Sequence, residues 1–309
     1  MSAAPHARAS VSGALQRVGP GVDASTIPVV IVSRDRRERL LSTLARLAAL
    51  PERPTIVVVD NGSRDGTVEA VRARHREVQV LALDRDRGAS ARNIGLRALD
   101  APYVALCDDD SWWAAGALQR AARAMDAAPR VAVLAARVLV GHEERLDPVC
   151  ELMARSPLGH GPGLPGPRVL GFVACGAVMR REAVLAVGGF DEHYGIGGEE
   201  NRLALDLARA GWWLAYAPDV VAHHHPGARA RGPWRTARTA RNDLWTAWLH
   251  RSLPAAVRRS AGILAGAGAT APLAAVAALR GAPRIARRRR PLAPETEREL
   301  RLVERQAAR

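Results

Sequence analysis

Three consecutive carboxylates, Asp108-Asp109-Asp110, follow directly on the apolar run YVALC at 103–107. If that run is a strand of an open α/β sheet, the acids stand where ligands bind, outside the carboxyl ends of the strands. Carboxylates this close repel one another and raise each other's pKa unless a cation is present. An oxygen-only ligand set suits Mg²⁺ or Mn²⁺, which in turn favour a diphosphate-bearing ligand. Asp is also a common turn residue, but Trp112 and Trp113 adjoining the acids argue for more than a solvated turn. Asp60 closes a second apolar run, TIVVVD at 55–60. The pair Glu199-Glu200 opens a helical stretch. Adjacent acids can push one pKa up toward the range of a general base, or merely complement the helix dipole. His223-His224-His225 ends the last apolar segment, and strand alternation puts Val220, Ala222 and His224 on one face.

Residues between these groups read as the elements that must hold them. IPVVIVS (27–33), 55–60, VQVLAL (78–83) and 103–107 are strands by their apolar, β-branched runs. Helices fall between them. One spans 36–50, with Leu40, Leu44 and Leu47 at helical spacing, and is stopped by Pro51 and Pro54. A second runs to about Arg76, capped by Asp65 or Thr67, and a third runs from Ala89 to Leu99. Further helices are expected at 182–187 and 199–210, and a last strand at 213–222. The alternation predicts an α/β fold with a parallel sheet. Residues 156–168 (SPLGHGPGLPGPR) contain G-x-G-x-x-G. Pro162 and Pro165 interrupt it, no strand precedes it and no helix opens there, so it reads as a mobile loop and not a dinucleotide fingerprint.

Taken together, seven segments in order resemble family 2 of the glycosyltransferases, which has the GT-A fold. They are VVIVSRDR (29–36), IVVVDNGSRDGT (56–67), RGASARNIGLRAL (87–99), YVALCDDD (103–110), GGFDE (188–192), GGEENRLALDLARAGW (197–212) and VVAHHH (220–225). They cover residues 27–225. The fold this implies is α/β of GT-A type, a mostly parallel Rossmann-like sheet flanked by helices. The resemblance implies a nucleotide-diphosphate sugar as donor, with Ser33 and Asp60 contacting the nucleoside. It implies Arg92 and Asn93 in the nucleotide and sugar pocket, where helix packing and capping are their simpler roles. Asp108 and Asp110 match the family's D-x-D motif: Asp110 as metal ligand, Asp108 toward the ribose or metal, Asp109 in support. Where the family has Glu-Asp, this chain has Glu199-Glu200. Counting back from Ala210-Gly211-Trp212 makes Glu200 the general base, with Glu199 its rival. The family's metal-binding His corresponds to His224. Arg202 stands where an acid is frequent, which bears on acceptor or sugar recognition. Trp112, Trp113, Trp212 and Trp213 are candidates for stacking on a sugar and equally for the core.

The chemistry implied is an inverting transfer, of hexosyl or deoxyhexosyl type, from the nucleotide sugar to a hydroxyl of a glycan, lipid-linked or small-molecule acceptor. Negative charge builds on the departing diphosphate, where Mn²⁺ or Mg²⁺ would stabilise it. A carboxylate within reach takes the acceptor's proton. Two alternatives belong to other classes: an inactive GT-A domain serving as a binding or membrane-scaffold module, and a nucleotidyltransferase.

Composition bears on location more than on chemistry. The 309 residues carry a net charge of +14, and all 45 basic residues are Arg. Without Lys, a Schiff base and the G-x-x-x-x-G-K-[ST] phosphate loop are excluded. Residues 227–309 hold 18 Arg against 5 acids, whereas 1–226 are nearly neutral. This divides the chain into a leader at 1–25 expected to be disordered, a GT-A domain at 26–226, and a basic, Trp/Arg-rich helical region at 227–309. Arg interleaved with Trp234, Trp245 and Trp248 suits a helix on an anionic membrane surface. Without a helix-turn-helix, zinc or RNP-like module, nucleic acid is the weaker partner. The uncharged stretch 261–279 is about one span long but rich in Ala and Gly, leaving a span, an interfacial hairpin and soluble packing open. Cys107, Cys150 and Cys175 form no framework. The expected location is cytoplasmic, peripheral on the inner face of the cell membrane.

Overall fold

The computed structural model describes residues 26–227 and 232–308; the leader expected at 1–25 lies outside the described residues. The alternation read between 27 and 107 is realised as β1 (Val29–Ser33), α1 (Arg37–Ala48), β2 (Ile56–Asp60), α2 (Thr67–Arg74), β3 (Gln79–Ala82), α3 (Arg92–Ala98) and β4 (Tyr103–Asp108). These strands pair in parallel in the order β3-β2-β1-β4. β2 is buried along its whole length because helices cover both faces of the sheet. Val29 and Ile31 pack with Leu40, Leu44 and Leu47 of α1 on one face, while Val30 packs with Leu96 of α3 on the other. The helix expected from Ala89 starts as a 3₁₀ turn over Gly88–Ala91 and becomes α-helical at Arg92. Gly95 lets α3 lie against the sheet, since a Cβ there would stand 2.5 Å from Val30 Cγ1.

Beyond β4 the simple alternation ends. The chain continues through β5 (Ser111–Trp113), α4 (Ala117–Ala127), β6 (Val131–Val140), β7 (Arg145–Leu146), α5 (Pro148–Ala154), β8 (Arg168–Val169), β9 (Ala177–Arg180), α6 (Arg181–Ala186), α7 (Glu199–Arg209) and β10 (Trp213–His224). β9 lies between β4 and β6 and is antiparallel to both. β10 is parallel to β6 and antiparallel to β5. The outcome is one ten-stranded mixed sheet, parallel from β3 to β4 and largely antiparallel beyond. Asp109 and Asp110 alone join β4 to β5, far too few residues for a parallel crossover, so β5 pairs elsewhere, at the end of β10. The loop at 156–168 opens no helix; the Ser156 hydroxyl donates to the Arg168 carbonyl and closes it.

The C-terminal region is helical: α8 (Pro233–His250), α9 (Leu253–Ala267), α10 (Ala271–Arg288) and α11 (Pro294–Ala307). By length and composition, 253–288 could cross a membrane as a single helix. The chain instead breaks at Gly268, whose φ of +50° suits glycine, and α9 and α10 form a hairpin on α8. Trp248 Nε1 donates to Ser260 Oγ of α9 and Trp245 Nε1 to the Ala278 carbonyl of α10, each at 3.0 Å. On α8, Leu244, Trp245 and Leu249 are buried, whereas Trp248 and Trp234 are exposed. The region is bound tightly to the body: Arg168 pairs with Glu299 at 2.9 and 3.1 Å, and His250 meets Asp206 at 3.0 Å.

Candidate active site

Parallel registration brings the expected residues to one edge. Ser33 pairs with Asp60 across β1 and β2, and Val32 with Asp108 across β1 and β4, so the three strand ends are level. Asp60 is buried. Its Oδ2 accepts from the Ser63 amide at 3.0 Å, but its Oδ1 has no hydrogen-bond partner among the described residues. A buried carboxylate oxygen without a donor is costly, and a ligand N–H would satisfy it. Asn61 beside it holds the Asp86–Gly88 loop, donating to Asp86 and the Gly88 carbonyl and accepting from the Arg87 amide.

The three acids after β4 have separate surroundings. Asp108 is the most exposed and accepts from Arg92 Nη2 at 2.9 Å. Asp109 points back into the body, accepting from Ser33 Oγ at 3.0 Å and Arg36 Nη1 at 2.7 Å. Burial pushes its carboxyl above the ordinary value, and Arg36 offsets this only in part. The Ser33 hydroxyl is thus spent on Asp109. Asp110 Oδ1 lies 3.4 Å from His224 Nε2, while its Oδ2 is 3.0 Å from Arg36 and 3.5 Å from Arg39. Burial raises the Asp110 carboxyl, but the hydrogen bonds and charges of His224 and Arg36 outweigh it and hold it below the ordinary value. The same contact raises the His224 imidazole despite burial, which lowers it. Strand alternation places the other histidines elsewhere: His223 meets Glu144 at 3.0 Å, and His225 packs on Trp112 and His142.

Asp110 and His224 are spaced as neighbouring ligands of one divalent cation would be. Asp108 is turned to Arg92 and does not share that point. Among the described residues, no group of three or more His, Cys, Asp or Glu is gathered for a metal. A two-ligand protein set fits Mn²⁺ or Mg²⁺ held jointly with a diphosphate, since these ions keep positions for phosphate oxygens and water.

Arg92 is buried at the start of α3, 2.9 Å from Asp108 and 3.9 Å from Glu199, and its guanidinium lies over the Phe190 ring. Burial lowers its pKa, but Asp108, Glu199 and Glu200 together reverse this and raise it. Asn93 faces the other way. Its Nδ2 donates to the Phe190 carbonyl at 2.8 Å and its Oδ1 accepts the Phe190 amide at 2.9 Å, so both ends of the amide pin the 188–190 loop.

Glu199 and Glu200 open α7. Glu199 is buried and accepts from the Gly197 amide. No other side chain among the described residues hydrogen-bonds Glu200. Burial first, then the Glu199 charge, raise its carboxyl to about 7, against a lowering pull from Arg92. Arg202, one turn on, lies on the flank of α7 and pairs with Asp191 at 3.6 Å and Asp206 at 3.1 Å. Its departure from an acid is explained by this internal network.

Several residues escaped the sequence reading. Arg36 and Arg39 orient Asp109 and Asp110, although they lie in and beside the quoted VVIVSRDR segment. Asn242 of α8 is fully buried and donates to the Tyr194 carbonyl at 2.9 Å and to the Gly197 carbonyl. Set between Arg241 and Asp243 in a polar stretch, it carried no sequence signal of its own. The tryptophans have little free ring face. Trp113 is fully buried, and Trp112 lies between the Arg46 guanidinium and the His223 ring. Arg130 and Arg168 lie over Trp213.

The comparisons with known proteins bear on the family and on the fold. The family model for glycosyl transferase family 2 matches residues 29–188. An N-acetylglucosaminyl-diphospho-decaprenol L-rhamnosyltransferase of Mycobacterium tuberculosis is 27% identical over 242 residues, 67% of this chain and 78% of its own. The pre-mycofactocin glycosyltransferase of the same organism is 34% identical over 211 residues, covering 64% of this chain and 43% of the relative. Among solved structures, a mannosyltransferase of Pyrobaculum calidifontis in complex with GDP-Man and Mn²⁺ superposes with a TM-score of 0.56 at 22% identity, over 93% of this chain and 88% of that one. The S. aureus TarS structure with UDP-GlcNAc gives 0.57 at 14% identity, over 77% and 71%. Those likenesses extend the GT-A fold beyond residue 188, where Glu199, Glu200 and His224 lie. The mixed α/β sheet, the ordered motifs and the family match lead to one conclusion: this chain is a glycosyltransferase and belongs to glycosyl transferase family 2.

Proposed function

We propose that the chain is a metal-dependent, inverting transferase that moves a sugar from a nucleotide diphosphate to an acceptor hydroxyl. The observation that carries this reading is the division of labour at the strand ends. Asp60 has an unpartnered oxygen, Asp110 faces His224 at 3.4 Å, and Glu200 has a raised pKa and no side-chain partner. Asp60 Oδ1 accepts an N–H of the nucleobase. Asp110 and His224 would hold Mn²⁺ or Mg²⁺, which would supply positive charge to the diphosphate. Arg92 keeps Asp108 oriented at the rim for the ribose. Ser33 and Asp109 brace this arrangement from behind, and Asn93 braces the 188–190 loop.

Glu200 takes the proton of the acceptor hydroxyl as its oxygen attacks the anomeric carbon. The bond from that carbon to the diphosphate oxygen breaks, and the diphosphate leaves with the electron pair. Attack opposite the leaving group inverts the anomeric centre. Glu199, already bound to Gly197 and near Arg92, is the lesser candidate for the base.

The M. tuberculosis rhamnosyltransferase is named for a lipid-linked acceptor, and the pre-mycofactocin enzyme for a different molecule. The exposed apolar side chains Leu253, Val257, Leu273, Val276 and Leu279 on the α9–α10 hairpin favour a lipid-linked glycan and a peripheral place on the inner face of an anionic membrane. The test is a screen of common nucleotide sugars with Mn²⁺, reading released nucleoside diphosphate. Release with at least one donor, abolished in Asp110→Ala, is expected; full activity in that variant sinks the metal role. Release of pyrophosphate would point to nucleotidyl transfer instead.

A further inference from the structure

Outside the donor cleft, three separate stretches of chain bring arginines to one cavity of about 560 Å³. α3 contributes Arg97, α7 contributes Arg202 and Arg209, and the end of α10 contributes Arg287 and Arg288, with Arg290 just beyond. Arg87 lines it from the loop before α3. The cavity runs along the flank of α3 and α7. Arg209 lies about 15 Å along α7 from Glu199.

The acids in this cavity are Asp191, Glu192 and Asp206. Asp191 is already engaged by Arg202, Arg284 and Arg288, and Asp206 by Arg202 and His250. Among the described residues, Arg97, Arg209, Arg287 and Arg290 make no ion pair, nor does Glu192. Among the described residues, the buried Nε atoms of Arg87 and Arg202 have no hydrogen-bond partner. Arg97, Arg209, Arg287 and Arg290 are solvent-exposed around the cavity, and like charges gathered in one concavity draw an anion into it. Guanidinium groups match the oxygens of a phosphate in paired hydrogen bonds.

We propose that this cavity is a phosphate-binding site separate from the donor cleft, formed jointly by the catalytic body and the C-terminal helices. The phosphate belongs to an anionic lipid headgroup or to a soluble phosphorylated compound. The lipid source is favoured by α10 itself. Its opposite face lines an apolar groove with Leu279, Ala282 and Ile285, beside the exposed apolar residues of the hairpin. The site stands whether or not the chain transfers a sugar.

The test uses the full chain in EDTA, so that no divalent metal recruits phosphate to the donor cleft. Two probes are compared: inorganic pyrophosphate by calorimetry, and flotation with phosphatidylglycerol–phosphatidylcholine vesicles against phosphatidylcholine alone. The triple variant Arg97→Ser, Arg209→Ser, Arg287→Ser should lose at least tenfold in affinity. The corresponding Lys triple should keep most of it. A control, Arg72→Ser, Arg74→Ser, Arg123→Ser, removes equal charge from exposed positions elsewhere and should bind as the native chain does. Binding of vesicles alone assigns the site to lipid; binding of pyrophosphate as well assigns it to phosphate in general. The proposal is overturned if the native chain binds neither probe, if the Ser triple binds as well as native, or if the control loses as much.

Discussion

Asn242 on α8 donates to the carbonyl of Tyr194 at 2.9 Å, tying the C-terminal helices to the loop that leads into Glu199 and Glu200. Arg241 adds bonds to the His193 and Tyr194 carbonyls, each at 3.1 Å. The basic region therefore shapes the candidate base loop from behind, quite apart from where its charge directs the protein.

Removing that tie should damage turnover more than donor binding. Asn242→Ala leaves the Gly197 carbonyl without its side-chain donor and the Tyr194 carbonyl with Arg241 alone, at a cost of about 1–3 kcal/mol. The expected result is a lowered Tm and a fall in kcat of tenfold or more, with nucleoside diphosphate affinity nearly unchanged. Asp60 and Asp110 lie on strand ends that this loop does not hold. A variant with native kcat would show that the loop keeps its shape without α8.

Glu200→Gln should abolish transfer while leaving donor binding intact, because the base contacts the acceptor and not the nucleotide. The native rate should fall as pH drops through about 7, where Glu200 gains its proton. Stability carries the opposite sign. Burial penalises the charged form, so the fold is favoured while Glu200 is protonated and loses stability as pH rises through about 7. The Gln variant escapes this loss. Its stability should match the native at about pH 4, below the unfolded carboxyl's value, and exceed it at pH 8 by at most about 3 kcal/mol. Should Glu199→Gln show the kinetic phenotype instead, the base is its neighbour.

The nucleotide half of the fold was legible because β1, β2 and β4 are buried and read as apolar runs that end at or beside Ser33, Asp60 and the Asp108–Asp110 acids. The pattern placed these acids at strand ends; their separate roles came only from the family resemblance. The second half was less legible for a physical reason. β9 inserts antiparallel between β4 and β6, a pairing set by tertiary contacts and not by local pattern. Strand alternation put His224 on one face with Val220 and Ala222, the family resemblance selected it as the metal-binding His, and the structure puts it beside Asp110. Neither sequence signal could foresee that Asn93 would be spent on Phe190 or Ser33 on Asp109, since a polar side chain's partner lies far along the chain. The same limit hid Asn242.

Metal affinity should rise with pH. In the metal-free protein Asp110 raises the His224 pKa, so a cation must displace a proton from the imidazole before binding it. Calorimetry with Mn²⁺ and a nucleoside diphosphate should show tighter binding at pH 8 than at pH 6. His224→Ala should weaken Mn²⁺ by about 10- to 100-fold and flatten that dependence, and EDTA should stop transfer reversibly. Binding that is equal at both pH values would remove His224 from the ligand set.

Asp191 anchors α10 to the catalytic body, and its loss should be felt across the whole molecule. Its side chain is 6% exposed and lies 3.2 Å from Arg284, 3.3 Å from Arg288 and 3.6 Å from Arg202. Burial raises its carboxyl, but Arg202, the His193 amide and Arg284 outweigh burial and hold it below the ordinary value. A carboxylate depressed in the fold contributes stability above its unfolded pKa, and that contribution is lost as pH falls through the folded value. Asp191→Asn leaves Arg284 and Arg288 without a counter-charge and Arg202 with Asp206 alone. Breaking such a buried pair costs about 3–5 kcal/mol. The variant should therefore unfold at a clearly lower temperature at pH 7, and its deficit should shrink as pH falls below about 4, where the unfolded carboxyl takes up its proton, and on through the lower native value. A deficit of the same size at both ends of that range would mean that Asp191 acts through packing and not through its charge.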